Sequence, residues 1–265
     1  MNISNINQYL NRIWSSRYFW THLALSDLRT KFRRSKLGIV WALLIPLFLT
    51  LLLSFVMGGI FRHPIGTYAP YVFSGIIMWN FIVDSSVGGC TALINAEGYM
   101  KQFNHPTAIY SLRNVLFNFI LFCLGLIGLI LWIAIWKISN LNLSLFSFLI
   151  TFPIYFMLAW SISICTAFLN VKFRDFSQMI ILIFQALWYG SPVFISQDIF
   201  IKAHLEYLVY YNPIAHLLNL LRQPMLYGQF PHLVDYYYSI GVTLVFMVLA
   251  FIYITRNEKQ IIFAL

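Results

Sequence analysis

The chain has 265 residues, 60% of them hydrophobic and 9% charged, with 17 Lys and Arg against 8 Asp and Glu and a formal net charge of +9. A soluble domain carries about 25% charged residues and exposes far less oil, so this composition excludes an ordinary soluble domain, a disordered chain and a disulfide scaffold. Apolar runs of 18 residues or more recur, and about 20 residues at 1.5 Å rise cross roughly 30 Å of hydrocarbon. The runs are apolar on all faces, unlike the alternating segments of about ten residues in a membrane barrel. The expected fold class is an all-α integral membrane protein of about six transmembrane helices.

Residues 1–38 are a mostly polar leader holding seven basic residues, Arg12, Arg17, Arg29, Lys31, Arg33, Arg34 and Lys36. No short apolar core with a small-residue cleavage site marks it as a signal peptide. Within residues 17–35, Phe19, Leu23, Leu28 and Phe32 recur at helical spacing. They predict an amphipathic helix lying at the membrane interface, with its cations reaching headgroups; the plain alternative is a polar helix packed on its own protein.

The six-span transmembrane region covers 39–255. Its first span is Ile39 to Phe61, with Pro46 inside it, and the second is Tyr68 to Leu93, the least apolar, containing Asn80, Asp84 and a Gly88-Gly89 pair. A polar connection, 94–111, leads to the third span, Leu112 to Trp136. The fourth runs from Leu145 to Leu169, the tight charged loop NVKFRD follows, and the fifth runs from Phe176 to Ile195. Residues 196–238 are aromatic yet too broken for two ordinary spans, which predicts short re-entrant helices whose open backbone is shielded by protein. The sixth span, Ser239 to Thr255, precedes a tail, 256–265. Cys90, Cys123 and Cys165 all sit in or beside apolar runs and read as small core residues.

Six spans put both termini on one side, and basic residues choose the side. With both termini inside, the inner segments hold 13 of the 17 Lys and Arg and the outer segments hold Arg62, Lys137, Lys202 and Arg222. The expectation is a multi-pass inner-membrane protein with both termini cytoplasmic; its positive charge suits membrane lipids and gives no reason to invoke nucleic acid. The sequence carries no GxxxxGK[ST] phosphate loop, HExxH, CxxC or GxSxG, so it is read as a non-enzyme. Asp84 is the one formal charge deep in a predicted span, and no paired carboxylates suggest a proton-driven carrier.

Asp84 is costly in hydrocarbon unless paired or wetted; it faces a polar path, or it bonds Asn80 or a nearby hydroxyl as a structural group. Aromatic residues cluster near span ends, as an interfacial belt does. Trp79, Phe81, Trp160, Trp188 and Tyr189 are the candidates, with Asp84, to line a path. In the NVKFRD turn, Arg174 and Asp175 are placed to pair, with Asp175 as the side-chain cap of the next helix. Pro213 holds Asn212 extended.

Several stretches carry a resemblance. FRRSKLGIVWALLIPLF at 32–48, YAPYVFSGIIMWNF at 68–81, LNVKFRDFSQMI at 169–180, YGSPVF at 189–194 and NPIAHLLNLLRQPMLYG at 212–228 resemble, in order and with matching gaps, the permease subunits of ATP-binding-cassette polysaccharide exporters. These export O-antigen, capsule or teichoic acid. The resemblance implies two copies of this chain and two copies of a separate ATPase subunit that holds ATP and Mg, with no cofactor in this chain. The implied cargo is a polyprenyl-diphosphate-linked polysaccharide, O-antigen first. It also implies that Glu97, Gly98, Tyr99, Lys101, Gln102, Phe103 and His105 form a coupling segment seated on the ATPase, with Arg174 and Asp175 as further contacts. The chain departs from the family's usual Phe-Pro pair at Asn104, His105 and Pro106. Arg29, Arg33, Arg34 and Lys36 are candidates to hold the lipid diphosphate; membrane anchoring is the plain alternative. Arg222 is a further candidate, against a headgroup or structural role. Rival readings are an exporter of a drug or small lipid, and an ATPase-independent glycolipid enzyme or flippase.

Overall fold

The computed structural model describes residues 3–136 and 140–264, and every regular element among them is helical. Helices α1 (Ile3–Ser15) and α2 (Arg17–Phe32) precede the first long helix, α3 (Trp41–Phe61), which turns through a left-handed Arg62 into α4 (Ile65–Ala92). A short α5 (Glu97–Gln102) separates α4 from α6 (Ala108–Trp136), and α7 (Phe148–Lys172) follows. Then come α8 (Phe176–Tyr189), three short helices α9 (Gln197–Lys202), α10 (Tyr207–Tyr210) and α11 (Pro213–Arg222), and the final α12 (Leu233–Ala264). Helices α3, α4, α6, α7 and α12 are long and apolar enough to cross a bilayer.

The least apolar of these is the innermost. The α4 window is 72% buried, against 17% for α3 and α12, whose apolar side chains point outward. Lipid tails are as apolar as Leu, so helices in a bilayer associate through close packing of small residues and through side-chain hydrogen bonds. Accordingly Thr166 Oγ1 donates to the Ser86 carbonyl at 2.8 Å, Asn170 Nδ2 to the Cys90 carbonyl at 2.8 Å and, from α6, Asn114 Nδ2 to the Ser85 carbonyl at 2.8 Å. A Cβ at Gly89 would lie 2.4 Å from Thr166 Oγ1 and 2.8 Å from the Ser163 carbonyl oxygen, so only glycine lets α7 come this close. The polarity that weakens α4 as a span in the sequence is therefore what holds it at the centre.

The fifth expected span is not one continuous helix. α8 has 14 residues, about 21 Å at 1.5 Å per residue and short of the hydrocarbon thickness. Its start is level with the end of α4: Asn170 bonds Cys90, and its Oδ1 accepts from the Ser177 backbone N–H at 3.1 Å. The irregular stretch after it reaches the start of α4, where Tyr68 Oη donates to the Phe194 carbonyl at 2.6 Å. Helix plus irregular chain thus travel nearly the length of α4. The chain's ends therefore lie at one end of the bundle, here the basal end, together with α5; residues 190–232 lie at the other, distal end.

Other boundaries shift for local reasons. α6 begins at Ala108 rather than Leu112, and α12 runs unbroken through the expected tail. Among the described residues the distal segment holds three short helices. α11 is set by Pro213 in its first turn and by Asn212, whose Oδ1 accepts from the Ile214 N–H at 2.9 Å. α11 packs among α4, α7 and α12, with Leu217, Leu218, Leu220 and Leu221 all buried. The one-sided apolar stripe expected over 17–35 lies instead on α1, where Leu10, Ile13 and Trp14 share a face. α2 has apolar residues around its circumference and packs on α6, fixed by a bidentate pair in which Arg113 Nε and Nη2 donate to Asp27 at 2.6 and 2.5 Å.

Gly89→Ala tests the central packing. Overpacking of this kind costs about 1–3 kcal/mol, so the thermal midpoint of the purified protein, followed by size-exclusion chromatography after heating, should fall by several degrees. An unchanged midpoint would contradict the tight α4–α7 contact.

Candidate functional site

Two regions concentrate polar chemistry. At the basal end, the stretch 97–107 is clasped on several sides. α5 buries Met100 and exposes Tyr99, Lys101, Gln102 and Phe103, with Glu97 and Lys101 paired along it. A Cβ at Gly98 would meet nothing within 4 Å. Arg12 Nη2 donates to the Asn104 carbonyl at 2.8 Å; His105 stacks on Phe19 with ring centroids 4.7 Å apart, and Ser16 Oγ lies 3.1 Å from its Nδ1. From α12, Glu258 Oε1 accepts from Tyr9 Oη at 2.8 Å and from Thr107 N and Oγ1, both at 2.9 Å. Burial first, then the Glu258 charge, pushes the Tyr9 phenol up from its ordinary 10.0, so it stays a neutral donor. The result is a short helix with an exposed aromatic rim on a base tied to both α1 and α12.

Arg174 and Asp175 are exposed at the same end, and among the described residues they form no ion pair with each other. The expected Asp175 cap is corrected: its side chain makes no capping bond, and Asn170 supplies the acceptor to Ser177. Arg29, Arg33, Arg34 and Lys36 are all exposed beside the start of α3. Asp84 lines a pocket of about 160 Å3 with Lys31, Asn80, Asn118 and Trp41. It makes no hydrogen bond to Asn80, and it is exposed to that pocket.

The candidate path aromatics separate. Trp79 and Phe81 are buried in the bundle, Trp79 against Phe184 and Trp188, Phe81 stacked on Phe122 at 5.2 Å. Trp160 donates from its indole to the Ala108 carbonyl at 3.2 Å and bridges two parts of the core. Trp188 is half-buried and stacks on Phe194 at 5.6 Å. Tyr189 alone of these presents a largely open ring.

At the distal end the irregular stretch 190–195 lies inside the protein, where each free carbonyl needs a partner. Each has one. Gly190 accepts from Asn212 Nδ2 at 3.1 Å, Ser191 from the Val193 N–H at 2.7 Å, and Pro192 from Arg222 Nη1 at 2.6 Å. Val193 accepts from Arg222 Nη2 at 2.6 Å, Phe194 from Tyr68, and Ile195 from Tyr71 Oη at 3.3 Å. Arg222 also donates to the Tyr71 carbonyl and Ser74 Oγ, and its guanidinium lies 3.6 Å over the Tyr71 ring. It is 1% exposed. Arg222 is thus an internal clamp, neither reaching headgroups nor free for a diphosphate, because its fork is spent on protein oxygens. A Cβ at Gly75 would sit 2.1 Å from the Val193 oxygen, so glycine admits the stretch against α4.

α11 is pinned to α12 by a second buried arrangement. His216 Nδ1 lies 2.7 Å from Asp235 Oδ1 and Nε2 lies 3.0 Å from the Tyr210 carbonyl, and the ring stacks on Tyr238 at 4.1 Å. Both ring nitrogens face acceptors, a setting that favours the imidazolium form. Burial pulls the imidazole down, and the Asp235 and Tyr210 bonds outweigh it, leaving its pKa raised from 6.5. Sequence reading missed Asp27, Glu258, His216 and Asp235. The signal was their scarcity: with only 8 acids in 265 residues, each one beside an apolar run needs a partner.

The sequence profile of the ABC-2 type transporter family matches residues 19–226, which takes in α2 through α11. The chain belongs to the ABC-2 type transporter family. An O-antigen export system permease protein, RfbA, of Klebsiella pneumoniae is 22% identical over 204 residues, covering 72% of this chain and 74% of the relative. RfbA of Myxococcus xanthus is 23% identical, covering 69% and 70%. The polysialic acid transport protein KpsM of Escherichia coli is 23% identical over 249 residues, covering 90% and 93%. As an ABC-2 transporter with five long apolar helices, the chain is a multi-pass membrane protein.

Two expectations follow for this ABC-2 chain. Arg222→Lys keeps the charge but loses the fork; breaking a buried, multiply bonded charge costs about 3 kcal/mol or more, so the purified variant should lose most of its folded fraction on mild heating. A variant as heat-resistant as the wild type would refute the clamp. A raised folded pKa means that His216 contributes fully below 6.5 and less as pH climbs through its folded value. The thermal midpoint should therefore fall on the alkaline side of 6.5, and His216→Gln should flatten that slope.

Proposed function

We propose that this chain is the permease subunit of an ATP-driven exporter that moves polyprenyl-diphosphate-linked polysaccharide, O-antigen in particular, across the inner membrane. The observation that carries the reading is the basal clasp: a short helix with exposed Tyr99 and Phe103, rigidly tied to α1 and α12. A transporter without a phosphate loop of its own needs such a handle to receive the motion of an external ATPase. The named relatives, an O-antigen permease and a polysialic acid transport protein, point to the same cargo class.

In this reading the basal end is cytoplasmic. The exposed Arg and Lys of 29–36 gather the diphosphate end of the cargo beside α3, and Arg174 and Asp175 add contacts to the ATPase. Two copies of the chain, each with an ATPase subunit holding ATP and Mg, enclose a path between them. The bare apolar faces of α3 and α8 are the surfaces available to the second copy and to lipid. ATP-driven closure moves α5. Because α5 is tied to the leader and to α12, the long helices follow it as a body.

The test is made in cells that depend on this gene for surface polymer. Tyr99→Ala with Phe103→Ala should leave the protein inserted at wild-type levels, trap lipid-linked polymer inside and cut surface polymer by about thirtyfold, the loss of two contacts of about 1 kcal/mol each. Wild-type surface polymer in that variant would refute coupling at α5. Appreciable ATP turnover by the purified chain alone would refute the division of labour.

A further inference from the structure

One cavity of the molecule is not used by any step above. It is a pocket of about 540 Å3 at the distal end, between the start of α4, the end of α6 and the turn that follows α11. It lies on the far side of the Arg222 clamp. Its walls combine two kinds of group. Trp132 and Tyr227 offer ring surface, and Tyr227 is 55% exposed. Asp198, Gln223 and Gln229 offer carboxylate and amide groups that have no hydrogen-bond partner among the described residues. Ser196 Oγ, also on the wall, is buried without a partner.

The charge balance narrows the ligand. Arg222 is the only Lys or Arg among the described lining residues, and its donors are committed to carbonyls. Asp198 is left as the free charge, which disfavours an anion. The remaining set, flat rings beside paired donors and acceptors, matches a pyranose: its C–H face lies on a ring and its vicinal hydroxyls bond amides. A purely apolar ligand would leave the amides unpaired, at a cost that grows with burial.

The pocket is also built rather than incidental. Gln197 Nε2 donates to Asn219 Oδ1 at 2.8 Å, and Asn219 Nδ2 to Asp235 at 3.1 Å, so its rear wall is continuous with the His216–Asp235 arrangement. Asn140 binds the Leu226 carbonyl and Asn142 the Gly228 carbonyl at 2.8 Å, which fixes the turn bearing Gln223 and Tyr227. Gly228 makes this turn possible with φ +65.

We propose that this distal pocket is a binding subsite for one uncharged hexopyranose unit. Its role as a resting place for exported polymer rests on the export reading; its affinity for sugar does not.

The full chain in lipid nanodiscs, free of glycosidic detergent, is probed by saturation-transfer-difference NMR with methyl β-glucopyranoside and methyl β-glucuronoside. The neutral glycoside should receive saturation on its ring protons, and the uronate should bind about fivefold more weakly. Gln223→Ala with Tyr227→Ala should lower the neutral signal by about fivefold, the equivalent of one neutral hydrogen bond. Tyr189→Ala, an exposed ring elsewhere, should leave it unchanged. Asp198→Asn, at an exposed position that carries no packing, should narrow the gap between the two sugars. No transfer to the neutral glycoside, a preference for the uronate, or signals indifferent to all three pocket changes would overturn the subsite. Surface polymer is scored in parallel: a wild-type chain that binds glycoside yet supports no export refutes the export reading alone.

Discussion

A helix that stops inside a bilayer-sized bundle leaves carbonyls with nowhere to turn, and the rest of this architecture depends on how that problem is met. α8 ends at Tyr189, and the next six carbonyls are bound by Asn212, a local turn, Arg222, Tyr68 and Tyr71. Three of these donors come from the distal segment or the clamp, and two from the opening turns of α4. The irregular crossing therefore exists only because α11 folds back against it, and α11 stays there because His216 is held by Asp235. Polar residues that look expensive in hydrocarbon are mutually satisfied here, which is the condition for non-helical backbone at membrane depth.

The two ends of the bundle are organised on different principles. The distal end is closed by bonds within 190–235, Arg222 to Pro192 and Val193 and His216 to Asp235, together with longer-range bonds from the opening turns of α4. The basal end is closed by bonds between segments far apart, with α1 and α12 meeting over Thr107. The basal surface is exposed, cationic and aromatic; the distal end buries Arg222 and His216 and leaves Arg62 and Lys202 exposed. α4 runs between them, with Gly75 at one end and Gly89 at the other serving as points of closest approach.

The sequence disclosed the helical class and the approximate position of each apolar segment, because apolar runs of this length have one stable outcome in lipid. It also showed where α11 begins, since Asn212 and Pro213 have a local geometric meaning. It did not disclose partners. Asp27 with Arg113, and Tyr9 with Glu258, are 86 and 249 residues apart, and no local pattern links them. The interfacial stripe was misplaced by one helix because α2 carries apolar residues whose partners lie on α6. Helix ends were misjudged where hydropathy does not change: α8 stops at Tyr189 although Val193, Phe194 and Ile195 are as apolar as what precedes them. Trp79 and Phe81 have the chemistry of sugar-facing rings, yet within the single chain they are packed against other rings.

The position of Glu258 sets an order of events during synthesis. The stretch 97–107 has left the ribosome long before its anchor, which lies 151 residues beyond Thr107. Until α12 is made and threaded, Tyr9 and Thr107 lack their shared acceptor, and the base of α5 is open. A nascent or truncated chain thus cannot complete the base of α5. Completion of the basal end is deferred, by geometry alone, to a chain in which α12 is in place.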